Sequence, residues 1–378
     1  MTDTPADKPA TPTGPEPKRT RIGQRLRAIA DRVRKPTRPP PPHVKTINLA
    51  LQGGGAHGAF TWGVLDALLE DERLDFEAIS GTSAGALNAV VLADGLMRDG
   101  TEGARHRLGA FWRRVSQEGS GAGAAAELVQ SMLGFWHMQS FSPFNFFEQF
   151  GNLVSPYRIN PLNINPLRDL IGHLVDFEHV RANDGLKLFI SATNVRTGKI
   201  KVFSGSEITA DAVMASACLP YLFQTVEIGG EAYWDGGYTG NPALFPFFDE
   251  TATADILIVQ VNPVRREDVP KSAREITERA SEITFNSSLL REFRAIDFVN
   301  RLIDQGLLDP KRYRRNRIHR IDATAALAHT TAASKLDTSW HFFEELHNAG
   351  RKAAQEWLAA HYDDLGVRDT LDLRAEFG

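Results

Sequence analysis

From Val44 onward, short continuous apolar runs alternate with longer stretches of helical pattern. "KTINLAL" (Lys45 to Leu51) is β-branched and apolar and stops at three glycines, which predicts a buried strand followed by a helix from about Gly58. "FEAIS" (Phe76 to Ser80) predicts a second strand, and the apolar run after Ser83 in "GTSAGALNAVVLADGLM" a buried helix. Further strands are expected at "KLFISATNV" (Lys187 to Val195) and "DILIVQVN" (Asp255 to Asn262), with "EIGGEAYW" a hairpin turning at Gly229 and Gly230. Long helices are expected over 272–305 and 339–362, with a short strand near "RIHRID" between them. This order implies an α/β fold, a parallel or mixed central sheet covered by helices on both faces, with a mostly helical C-terminal section.

The first 43 residues follow another pattern. Ile22, Leu26, Ile29 and Val33 form one apolar stripe among arginines, the signature of a basic amphipathic helix, and "PTRPPPPH" then ends it. The expected organisation is a disordered, Pro-rich basic tail (1–43), a catalytic domain (44–262) and a helical region (263–378). The aromatic-rich stretch Phe135 to Phe150 follows a glycine-rich one and reads as core, acyl pocket or lid.

Charge sharpens the contrast. The net charge is −4, yet the tail carries ten Lys/Arg against four Asp/Glu, leaving the body at −10. An acidic body argues against a nucleic-acid groove, so no nucleic-acid partner is expected. The tail reads either as a solvated linker or as a peripheral contact with anionic membrane. "KRYRRNR" (Lys311 to Arg317) likewise reads as a solvated run or a headgroup contact. A single cysteine, Cys218, allows no intrachain disulfide, and no run is long and apolar enough to span a membrane. A cytoplasmic location is the default expectation.

"LQGGGAHGAF" fits G-x-G-x-x-G through Gly53, Gly55 and Gly58. A dinucleotide site needs an acidic residue at the end of the second strand, but this strand runs into Ser80, Gly81, Thr82 and Ser83. No Gly-Lys-Ser/Thr follows to make a phosphate loop. Gly81-Thr82-Ser83-Ala84-Gly85 is instead a G-x-S-x-G between strand and helix, where Gly81 and Gly85 permit a sharp turn that exposes the Ser83 hydroxyl. Three glycines ending the neighbouring strand can turn bare N–H groups toward an oxyanion.

Together "GGGAHGAF", "GTSAGA" and "WDGGYTGNP" resemble the patatin-like phospholipases, in that family's order. "MASACLPYLF" is similar to the block that precedes the family's aspartate, and the C-terminal section resembles an extra region of some bacterial members. The resemblance implies that Ser83 is the nucleophile, that Asp235 is its dyad partner beside Gly236 and Gly237, and that Gly53, Gly54 and Gly55 form the oxyanion hole. His57 stands where the family usually has Arg or Lys.

The chemistry is coherent in its own terms. A carboxylate of ordinary pKa near ~4 is a weak base for a hydroxyl, so Asp235 must be desolvated and aimed at Ser83. Read alone, Asp235-Gly236-Gly237 is also a plain turn. Of eleven histidines, His57 lies near these residues, as a helix-terminal donor or as the base of a triad. His319, His329, His341, His347 and His361 carry no local signature, and no metal-ligand spacing appears, so neither metal nor cofactor is expected. The sequence therefore points to a serine hydrolase of lipid esters, of phospholipase A or lysophospholipase type. An esterase or polyhydroxyalkanoate depolymerase with the same dyad, or a non-catalytic lipid-binding scaffold, are the alternatives; oligomeric state is not encoded in any motif.

Overall fold

The computed structural model describes residues 44–120, 155–220, 223–327, 334 and 337–377. The stripe of Ile22, Leu26, Ile29 and Val33 and the aromatic stretch Phe135 to Phe150 lie outside the described residues.

β1 (Lys45–Leu51) leads through a short 3-10 turn (Gly55–His57) into α1 (Gly58–Asp71), and β2 (Leu74–Gly81) leads into α2 (Ala84–Ser120). α2 is broken at Asp99 and Gly100, whose backbone leaves the helical region. The short helices α3 (Pro156–Ile159), α4 (Pro166–Leu174) and α5 (Phe177–Arg181) precede β3 (Lys187–Asn194). β4 (Ile200–Ser204), α6 (Ala210–Ser216), β5 (Val226–Ile228) and β6 (Glu231–Asp235) follow, then α7 (Pro246–Glu250) and β7 (Asp255–Gln260). The chain closes with α8 (Ala273–Asp304), β8 (Arg317–Asp322), α9 (Trp340–His361) and α10 (Leu373–Phe377).

One mixed sheet runs in the order β5-β6-β3-β2-β1-β7-β8, with β4 paired to β3. The five strands β3, β2, β1, β7 and β8 are parallel, and the β3–β4, β3–β6 and β5–β6 pairs are antiparallel. Both faces are covered, as the unbroken apolar runs require. Alternate residues split between them: Ile47, Leu49, Leu257 and Val259 meet α1, α2 and α9, while Ala50, Ile256, Ile258 and Ile318 meet Leu289, Phe293 and Ile296 of α8. Each fully buried Leu or Ile of this kind contributes about 1.5–3 kcal/mol.

The sequence after 262 builds directly onto this body. β8 extends the parallel sheet beside β7. α9 packs on α1 so closely that a Cβ on Gly350 would stand 2.2 Å from the Phe60 carbonyl oxygen. β4 and α6 had no distinct pattern in the sequence, β4 being short and half-exposed and α6 only seven residues long.

Candidate active site

The sheet register itself brings two sequence blocks together. β4 lies along one edge of β3 at Phe189 to Thr193, so β2 and β6 must share the other edge. β2 pairs with β3 up to Gly81 opposite Ile190, and β6 comes from the reverse direction to end with Asp235 opposite Ala192. Two strands therefore point their ends at one another, and Ser83, just past the end of β2, faces the carboxylate of Asp235 at the end of β6. Thr82 Oγ1 donates to the Gly240 carbonyl at 2.7 Å and Ser80 Oγ to Ala243 at 2.6 Å, which ties the end of β2 to the loop after Asp235.

Ser83 has φ of 54°, the left-handed region that a non-glycine residue seldom enters without cause. The turn is tight because a Cβ on Gly85 would stand 2.2 Å from the Leu51 carbonyl oxygen. The Ser83 amide donates to Ser216 Oγ at 2.9 Å, and the Asp235 amide donates to the Cys218 carbonyl at 2.7 Å. "MASACLPYLF" thus has a physical task, since its first half holds the backbones of both residues.

Asp235 is 0% exposed. Its Oδ1 accepts from the Gly237 amide at 2.7 Å, whereas Oδ2 has no partner at regular hydrogen-bond geometry among the described residues. Burial pushes its pKa up to about 7, against the opposing pull of the Gly237 amide and the nearby Ser83 hydroxyl. The Cys218 thiol beside it is pushed up to about 12, chiefly by burial, and is an inert packing group.

The glycine loop is held from behind by buried amides. Gln52 Oε1 accepts from the Val261 and Asn262 amides at 2.9 and 2.8 Å, and its Nε2 donates to Asn286 Oδ1 at 2.9 Å. Asn262 Nδ2 donates to the Gly53 carbonyl at 2.6 Å. The Gly53 amide donates to Asn241 Oδ1 at 2.7 Å, so that N–H is already engaged. Of Gly53, Gly54 and Gly55, expected to form the oxyanion hole, Gly53 thus has its amide bonded to Asn241. Gly53 serves close approach instead, because a Cβ there would stand 2.7 Å from the Ser83 Cβ.

The buried His57 closes the 3-10 turn after the glycines, its Nε2 2.9 Å from Ser334 Oγ and its ring near Phe342. His319 and His347 belong to other networks, with Asp255 and Asp66 respectively. Gly236 and Gly237 are buried against the site, where Phe285 of α8 packs so closely on Gly237 that a Cβ would stand 2.2 Å from its ring. Sequence reading gave no role to Gln52, Ser216 and Asn241, which lie inside the quoted blocks, or to Asn262 and Asn286.

The family model of patatin-like phospholipases matches residues 49–248, more than half of the chain. The chain belongs to the patatin-like phospholipase family. As a member it is a hydrolase of lipid esters. No curated protein matches the chain. Among solved structures it is similar to VipD from Legionella pneumophila, at 15% identity over 85% of this chain and 67% of VipD, with a TM-score of 0.40. It is also similar to the ExoU–SpcU complex of the type III secretion system of Pseudomonas aeruginosa, at 16% identity, 89% and 75% coverage and a TM-score of 0.29. In this patatin-like phospholipase, β7, α8, β8 and α9 all lie beyond the matched residues. Even so, α8 supplies Asn286 to the glycine loop and Ser288 Oγ to the Asn241 amide at 3.2 Å.

Proposed function

We propose that this patatin-like phospholipase cleaves the ester bond of a phospholipid or lysophospholipid with Ser83 as nucleophile and Asp235 as general base. What carries the reading is a serine held at positive φ beside a fully buried carboxylate, one oxygen of which has no partner at regular hydrogen-bond geometry among the described residues while the Ser83 hydroxyl lies near it. Burying a carboxyl group with so few partners is costly, and strain of this kind clusters where it serves a reaction. A lipid-binding scaffold has no use for either cost.

Asp235 takes the Ser83 proton as Oγ attacks the ester carbonyl carbon, and the carbonyl oxygen becomes an oxyanion. With Gly53 engaged by Asn241, the Gly54 and Gly55 amides are the donors that meet it. Collapse expels the alcohol, which receives the proton from Asp235 and leaves an acyl-Ser83 ester. Water, deprotonated by Asp235, then attacks that ester, releases the fatty acid and returns the proton to Ser83. A carboxyl group with pKa about 7 suits both directions of transfer near neutral pH.

A substrate panel of phospholipid, lysophospholipid, short monoester and polyhydroxyalkanoate, run with wild type and Ser83→Ala, tests the proposal. Release of fatty acid from the phospholipids, lost in Ser83→Ala, is expected. Turnover confined to the monoester or the polyester would move the assignment to an esterase or depolymerase with the same dyad. Undiminished turnover by folded Ser83→Ala would refute the nucleophile.

A further inference from the structure

Between Ser155 and Asn165 the short helix α3 and the turn after it are fixed in place and yet turn Tyr157, Leu162 and Ile164 outward. Asn160 is buried and braces the loop from within, its Nδ2 donating to the Ile164 carbonyl and its Oδ1 accepting from the Ile164 amide, both at 2.9 Å. Asn163 occupies the left-handed region at φ 50° to complete the turn. Pinned in this way, Leu162 is 80% exposed, Tyr157 54% and Ile164 47%.

The loop rests on the strip that holds the site. Gln224 Nε2 donates to the Asn160 carbonyl at 2.8 Å, the Tyr157 hydroxyl lies 3.1 Å from Thr225 Oγ1, and Asn165 Nδ2 lies 3.8 Å from Met214 Sδ. Residues 214–225 include Ser216 and Cys218, which take the Ser83 and Asp235 amides. From Ser155 to Arg168 there are two arginines and no carboxylate, in a body whose net charge is −10, and Arg168 is paired with Asp211 of α6.

We infer that the loop 155–165 is a lipid-docking surface that inserts Leu162, Ile164 and Tyr157 into a bilayer containing anionic lipid, with Arg158 at headgroup level. Apolar side chains that cannot fold back gain by entering the acyl boundary, and a loop with no carboxylate of its own adds no repulsion from the anionic surface. The inference rests on the lipid-ester reading of the neighbouring site.

The test uses the full chain carrying Leu162→Cys labelled with an environment-sensitive dye, and vesicles of phosphatidylcholine with phosphatidylglycerol. Cys218 is buried and stays unlabelled. Leu307→Cys is the control, since Leu307 is 67% exposed just after α8, near the start of β8 at the opposite end of the sheet. A blue shift on vesicle addition is expected at position 162 and not at 307. No shift at 162, or equal shifts at both positions, overturns the surface. Leu162→Asn with Ile164→Asn should cut hydrolysis of vesicle lipid by about tenfold while sparing a soluble short-chain ester. Unchanged vesicle hydrolysis, or equal loss on both substrates, also overturns it. A wild-type chain that hydrolyses neither substrate but shows the shift at 162 alone refutes the hydrolase reading and leaves the surface standing.

Discussion

The Ser83 amide donates to Ser216 Oγ at 2.9 Å across 133 residues of sequence, so α6 holds the amide of the proposed nucleophile while its own helix holds the carbonyl through the Leu87 amide. Ser216→Ala leaves that amide without its acceptor and relaxes a turn already held at positive φ. An unsatisfied buried donor costs about 1–3 kcal/mol. We expect kcat to fall about tenfold or more with KM little changed, measured on a soluble ester; an unchanged kcat would show that the bond does not position Ser83.

Asp235 predicts opposite pH effects on rate and on stability. Its pKa in the fold is about 7, against an unfolded value near ~3.9. Because only the ionised form is a base, kcat/KM should rise with pH through about 7. The folded chain binds the extra proton between these two values, so the stability tied to the neutral carboxyl is complete below the lower one and lost as pH rises through about 7. Asp235→Asn mimics the neutral form. It should be inactive, and its Tm advantage over wild type should be small at pH 5 and larger by a few degrees at pH 8.5, which calorimetry at both pH values checks.

His57 is not the base in this account. Its Nε2 lies 2.9 Å from Ser334 Oγ, and a glutamine amide can make the same bond. His57→Gln is expected to keep most of its activity and the same rise through about pH 7. Complete loss at every pH would restore a Ser-His-Asp triad.

The brace behind the glycine loop gives a fourth expectation. Asn286→Ala strips Gln52 Nε2 of its 2.9 Å partner inside the core, at a cost of about 1–3 kcal/mol, and loosens the strand end from which Gly53 to Gly55 depart. Denaturant unfolding should show the lost stability. Acylation by a rapid active-site reagent should slow beyond what the unfolded fraction explains, while an equal loss in both would reduce Asn286 to a purely structural group.

Ser83 and Asp235 were legible in the sequence because glycines and strand patterns mark their turns within a few residues of each. Their pairing was implied by the family resemblance, but its geometric basis, β6 running against β2 along one edge of β3, was not legible. Asn241 and Asn286 were silent for the same reason. Their partners lie 188 and 234 residues away, and a lone asparagine has no period or spacing to announce a long-range bond. The engagement of the Gly53 amide was likewise invisible, because three consecutive glycines look equivalent until a side chain arrives to claim one N–H.

Covalent labelling measures the dyad most directly. A fluorophosphonate reacts with an activated serine, and peptide mass spectrometry locates the adduct. The account predicts one adduct, on Ser83, formed orders of magnitude more slowly in folded Asp235→Asn. An adduct on another residue, or labelling of Ser83 at the wild-type rate in Asp235→Asn, would contradict it.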